Sequence, residues 1–208
     1  MQYKKTSIAF FICFLALFIS FTSNGYSVTT DVSEPIILIT GFGPFDVYDV
    51  NPSELIANEL NNTHYQNYTI RGIVLPVNYT TAPAKMKRCI EDYDPVLIFS
   101  LGLAGKAKTI QIEPYAVTLR IDPDQQYPLF TLKKVNMTGP WIQKATIDIS
   151  STMNNIKEKD IPVQQSYSAG LYLCNAILYE TLRYQDHNQR MIPTGFIHVP
   201  QLDTQHPE

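Results

Sequence analysis

The chain has 208 residues, 45% apolar and 17% charged, enough for one globular domain with a sizeable core and no long disordered tract. A formal charge of −3 without any basic run excludes the electrostatic footprint of a nucleic-acid binder and points to small molecules or peptides as partners. Histidines at positions 64, 187, 198 and 206 form no close pair with metal-ligand spacing, so zinc is not expected.

At the amino terminus, Lys4 and Lys5 precede an apolar run from Ile8 to Phe21, followed by small and polar residues around Ser23 and Gly25. That is the pattern of a secretory signal. The run is about 14 residues, short of the roughly 20 that cross a bilayer as a helix. The expected organisation is a signal peptide over residues 1–26, cleaved near Gly25 to Ser27, and a single domain over 27–208. The mature chain would then be secreted or endolysosomal, with no stable membrane span. Sequons at Asn61, Asn67, Asn78 and Asn136 are candidate glycosylation acceptors. Cys13 falls in the signal segment, leaving Cys89 and Cys174, which make no disulfide framework. In an oxidising compartment a single Cys89–Cys174 bridge is the simplest expectation.

Ile36 to Thr40 reads as a buried strand running into the turn "TGFGPF". "NPSELIANEL" carries helix-start chemistry, with Pro52 near the first turn and Glu54 close behind. "YTIRGIVLPV" is a second β-rich segment, stopped by Pro76. "TAPAKMKRCIEDY" predicts a helix with Met86, Cys89 and Ile90 on one side, so Cys89 reads as a small core residue. Val96 to Ser100 is a strand ending in "GLAG"; "IQIEPYAVTLRI" reads as one β-like segment and "IDPDQQYP" as turn chemistry. An amphipathic "ATIDISSTMNNIKEK", a helix beginning near Gly170 in "SYSAGLYLCNAILYE" and a β-like "GFIHVP" complete the chain. Strand signals alternating with helix signals predict an α/β fold with a largely parallel central sheet. In such sheets functional groups gather beyond the carboxyl ends of strands. Gly41, Gly43, Gly102 and Gly105 lie there, in spacings that match neither a dinucleotide fingerprint nor a P-loop.

Three residues carry the candidate chemistry. Cys174, in the first turn of its helix, feels the positive end of the helix dipole, which favours the reactive thiolate. The same position also suits an inert core cysteine or half of a disulfide. His198 alternates with apolar residues, so its ring points away from Ile197 and Val199, as a base or as a satisfied core residue. Glu113, between Ile112 and Pro114, either faces solvent or needs a buried partner, for which a histidine would serve. Together the three would make a nucleophile, a base and an orienting acid.

The motifs resemble those of the pyroglutamyl peptidase I family, cysteine peptidases that remove an amino-terminal pyroglutamate. "TGFGPF" with "NPS", "LGLAG" followed by "IE" and "AV", "SAGLYLCN", and "GFIHVP" with Gln205 match the family's signatures in the family's order, from about Ile36 to Gln205. The resemblance implies a three-layer α/β/α sandwich around a mixed, largely parallel sheet. It implies Cys174 as nucleophile, His198 as general base and acid, and Glu113 as the group orienting His198. Phe42 and Phe45 would line the pyrrolidone pocket, and peptides with amino-terminal pyroglutamate would be the substrates, with no metal or organic cofactor.

This chain departs from the family at Lys106 and Ala107, where a Gly-Arg pair is usual, and at Pro114, where an arginine usually follows the glutamate. Asp46 and Val47 replace small residues. The chain also stops ten residues after His198, where the family continues into a long final helix. Either the sequence is truncated or the fold leaves apolar surface uncovered, in which case instability or self-association into a homo-oligomer is expected. These departures support a second reading, a catalytically weak or inactive secreted relative that binds peptide amino termini. A secretory signal is itself unusual in a mainly cytosolic family.

Overall fold

The computed structural model describes residues 34–121 and 132–202, so the expected signal peptide, Cys13 and Gln205 lie outside the described residues. In chain order the first elements are β1 (Ile36–Phe42), α1 (Pro52–Leu60), β2 (His64–Tyr65), β3 (Tyr68–Leu75), α2 (Thr81–Tyr93) and β4 (Leu97–Leu103). There follow β5 (Ile110–Glu113), β6 (Tyr115–Val117), β7 (Leu119–Ile121), β8 (Leu132–Lys134) and β9 (Ile142–Lys144). The last are α3 (Ile149–Lys157), β10 (Val163–Gln165), α4 (Leu173–His187) and β11 (Thr194–Val199).

Seven strands form one sheet in the order β10-β5-β11-β4-β1-β3-β2. β1 pairs in parallel with β3 and β4, β4 with β11, and β5 with β10. The β5–β11 and β2–β3 pairs are antiparallel. The near-continuous apolar run of β1 is what a strand covered on both faces requires. Ile37 and Ile39 join one buried cluster with Leu60 of α1 and Ile156 of α3. Leu38 joins the other, with Met86, Cys89 and Ile90 of α2 and Ile177, Leu178 and Tyr179 of α4. The three-layer α/β/α architecture expected above is therefore the one observed, around a mixed and mostly parallel sheet.

One sequence expectation is replaced. "IQIEPYAVTLRI" is three short strands: Pro114 has no N–H to continue the ladder after β5, and β6 and β7 take different partners on either side of Thr118. β5 stays in the main sheet, while β6 pairs with β9 and β7 with β8 in two separate ribbons. Asn175 of α4 reaches both ribbon segments, accepting from Val117 N at 2.8 Å and donating to the carbonyls of Val117 and Leu119 at 2.9 Å each. At its other end, α4 is tied to the start of β11 by Gln185, which donates to Thr194 Oγ1 at 2.7 Å and accepts from Ile192 N at 3.0 Å.

Asn51 caps α1, its Oδ1 accepting from Ser53 N at 3.1 Å and from Ser53 Oγ at 2.8 Å. Its Nδ2 donates to Gly43 O at 3.0 Å, so one buried side chain sets both the helix start and the turn after β1. Asn51→Ala removes the cap and strands the carbonyl of Gly43. We expect a loss of about 2 kcal/mol, read as a fall in Tm of about 4–8 °C in thermal unfolding.

Candidate active site

In the antiparallel β5–β11 pair, Glu113 stands opposite Phe196. Residues paired across strands share a face, and so do residues two apart along one strand. Glu113, Phe196 and His198 therefore project to the same side, the side covered by α2 and α4. Glu113 reaches diagonally to His198, whose Nδ1 donates to Oε1 at 2.7 Å. Glu113 is 0% exposed and His198 8%. A buried carboxylate needs such a partner, and the solvent-facing alternative for Glu113 is not what the structure contains. Its second oxygen, Oε2, is buried with no hydrogen-bond partner among the described residues.

The third group arrives from the helix layer. α4 begins at Leu173, later than the Gly170 predicted, which makes Cys174 its second residue and keeps it in the first turn. No side chain caps this end. On β4, Gly102 stands opposite His198 in the parallel register. A Cβ at position 102 would lie 2.8 Å from Cys174 Sγ and 2.9 Å from Cζ of Phe196. Only a residue without a side chain lets the sulfur settle there against the sheet.

The Cys174 sulfur and the His198 imidazole are thus brought to the same place on the sheet, around Gly102. Burial by itself pushes the His198 pKa down, but its electrostatic interaction with the nearby Cys174 sulfur, reinforced by the hydrogen bond to Glu113, outweighs it and raises the value from 6.5 to about 10. An imidazolium is the resulting state of His198. Cys174 is partly buried and Cys89 buried, and both thiols are free, so the Cys89–Cys174 bridge is not formed. Burial pushes the Cys89 thiol up, as for an inert core cysteine.

Phe42 is nearly buried at the end of β1 and packs against Phe196, centroids 6.5 Å apart. Phe196 in turn packs against His198 at 5.0 Å, so an aromatic row runs from Phe42 to the imidazole. Phe45 lies further out, half-buried on the following turn. A cleft of about 200 Å³ between α2 and α4 is lined by Met86, Ile90, Thr181 and Tyr184 but by none of Glu113, Cys174 or His198. Among the sequons, Asn61, Asn67 and Asn78 are exposed and Asn136 is half-buried. Asn78 lies beyond the carboxyl end of β3 and accepts from Thr80 N and Thr81 N at the start of α2. Sequence reasoning passed over Asn175, although a polar residue inside an apolar helix, directly after the cysteine, signals a buried hydrogen-bond requirement.

The pyroglutamyl peptidase family model matches residues 36–207, nearly all of the described chain. The chain belongs to the pyroglutamyl peptidase family. The pyrrolidone-carboxylate peptidase of Halalkalibacterium halodurans is 31% identical over 176 residues, 82% of this chain and 88% of that protein. That of Thermococcus litoralis is 34% identical over 167 residues, 79% of this chain and 76% of that protein. The solved structure of the Thermococcus litoralis pyrrolidone carboxyl peptidase superposes with a TM-score of 0.76 at 33% identity, covering 82% of this chain and 79% of that one. A Pyrococcus furiosus pyrrolidone carboxyl peptidase structure gives 0.77 at 31% identity, covering 82% and 83%.

Two outcomes follow for this family member. His198 has a raised pKa in the folded state, so its contribution to stability is complete below 6.5 and is lost as pH rises through about 10. An NMR titration should find the imidazole protonated through neutral pH, and in Cys174→Ala its pKa should fall. Gly102→Ala should displace the sulfur and lower kcat about 10²-fold, with the fold retained by circular dichroism.

Proposed function

We infer that the chain is a cysteine peptidase hydrolysing the bond after an amino-terminal pyroglutamyl residue. The observation that carries this reading is the convergence of Glu113, His198 and Cys174 on one sheet face, in a chain matched by the family over almost its whole described length. The Cys174 sulfur attacks the pyroglutamyl carbonyl carbon, and the negative oxygen that forms meets backbone N–H groups at the uncapped start of α4. The His198 imidazolium gives its proton to the leaving amine as the C–N bond breaks, leaving a thioester on Cys174. Water then adds to the thioester while His198 takes its proton. Collapse releases pyroglutamate and returns the sulfur as thiolate.

Glu113 holds the Nδ1 proton throughout, which keeps Nε2 as the working nitrogen. Phe42 and Phe45 supply an apolar slot suited to a flat, uncharged lactam. The apolar run before the domain supports routing through the secretory pathway, with the exposed Asn61, Asn67 and Asn78 as the acceptors a glycan would reach. Binding without hydrolysis finds no support in the geometry, since the Glu113–His198 bond forms despite Pro114.

Under reducing conditions, the purified chain should turn over a fluorogenic pyroglutamyl amide. Cys174→Ala and His198→Ala should each cut kcat by at least about 10³-fold, because groups that act as a unit fail together, whereas Glu113→Gln should keep a measurable fraction. Wild-type turnover no greater than that of Cys174→Ala would overturn the reading.

A further inference from the structure

The turn that carries Phe45 is a tight hairpin. Phe45 N donates to Tyr48 O at 3.3 Å and Tyr48 N to Phe45 O at 3.0 Å, with Asp46 at φ 52° and Val47 exposed between them. This pairing puts the two rings on one side, tilted at 52° with centroids 5.3 Å apart. The tyrosine ring continues past Phe45 onto the loop after β4. A Cβ at Gly105 would lie 2.0 Å from Tyr48 Oη and 2.6 Å from Cζ, so the contact exists only because residue 105 has no side chain.

That loop is itself fixed. Ala104 N donates to Val199 O at 2.9 Å, one residue beyond His198, and Ala107 N closes a turn onto Ala104 O at 2.9 Å. The Phe45 turn is held at its other end by Asn51, through Gly43. Tyr48 is the contact that joins its tip to the segment anchored beside the imidazole. Its contact runs from beside Asp46 and Val47 to Gly105, next to Lys106 and Ala107, two of the places where this chain departs from the family pattern.

We propose that Tyr48 is a positioning residue: its ring clamps the Phe45 turn to the Gly105 loop and so fixes one wall of the pyrrolidone pocket relative to His198. The proposal rests on the reading of Phe45 as a pocket wall. A wall that loses its clamp still admits substrate and leaves the reacting groups intact, so binding suffers and chemistry does not.

Steady-state kinetics on the pyroglutamyl amide and hydrogen exchange over residues 43–50 test it together. Tyr48→Ala should raise KM about tenfold while kcat changes less than about threefold. Tyr48→Phe keeps the ring and should hold KM within about twofold of wild type. Gly105→Ala, whose methyl would expel the ring, should raise KM as Tyr48→Ala does, and combining the two should add nothing. Backbone exchange across the turn should quicken in Tyr48→Ala and stay at the wild-type rate in Tyr48→Phe. An unchanged KM in Tyr48→Ala, KM effects that multiply in the double variant, or unaltered exchange overturns the proposal. Wild-type protein that shows the exchange pattern but hydrolyses no pyroglutamyl amide keeps the clamp and refutes the function instead.

Discussion

A carboxylate with no exposed surface and an imidazole with almost none hold one another at the end of β5, and the arrangement of the rest of the site depends on that bond. Neither group is tolerable alone in that position: an unpaired buried carboxylate is costly, and burial drives an unpaired imidazole toward its neutral form. Paired, they raise the histidine's proton affinity and fix its ring. The bond needs β5 to run against β11, because that register sets Glu113 opposite Phe196 and one diagonal step from His198. The single reversal inside an otherwise parallel centre of the sheet thus has a chemical consequence.

The sulfur reaches this pair through a chain of packing requirements. α4 is tied by Asn175 to the two small ribbons and by Gln185 to the start of β11, the strand that carries His198. With both ends held, the first turn of the helix comes down onto the sheet at the place where β4 presents Gly102. Rigid secondary structure therefore sets the sulfur–imidazole relation. Pro114 fits this scheme: it ends β5 directly after the glutamate, and its carbonyl accepts from Ala145 N at 3.0 Å, so the backbone stays anchored where the family usually has an arginine.

Much of this was legible before any coordinates. The near-continuous apolar run of β1 and the 3.6-residue pattern of "TAPAKMKRCIEDY" were enough for an α/β fold with a strand covered on both faces and a helix with one buried side, while the three layers were what the family resemblance implied. The direction of the His198 ring followed from period two. Two other features were not legible. The β-like stretch from residue 110 to 121 has uniform strand character, and which partner each part finds depends on residues at very different distances, from 11 to 87 positions away. The choice among nucleophile, inert core residue and disulfide for Cys174 was equally open, because a thiol's environment is assembled from β4, β11 and α4 together.

Sequence alone determined most of the elements, the sheet's apolar faces and which side chains were candidates for acyl-transfer chemistry, since local propensity and side-chain chemistry are properties of the residues themselves. Tertiary structure alone decided that Cys174 is free and lies beside His198 at Gly102, that Glu113 is buried against the imidazole, and that Gly102 and Gly105 serve as places of close approach. Those are relations between segments far apart in the chain, and only packing brings them within bonding distance.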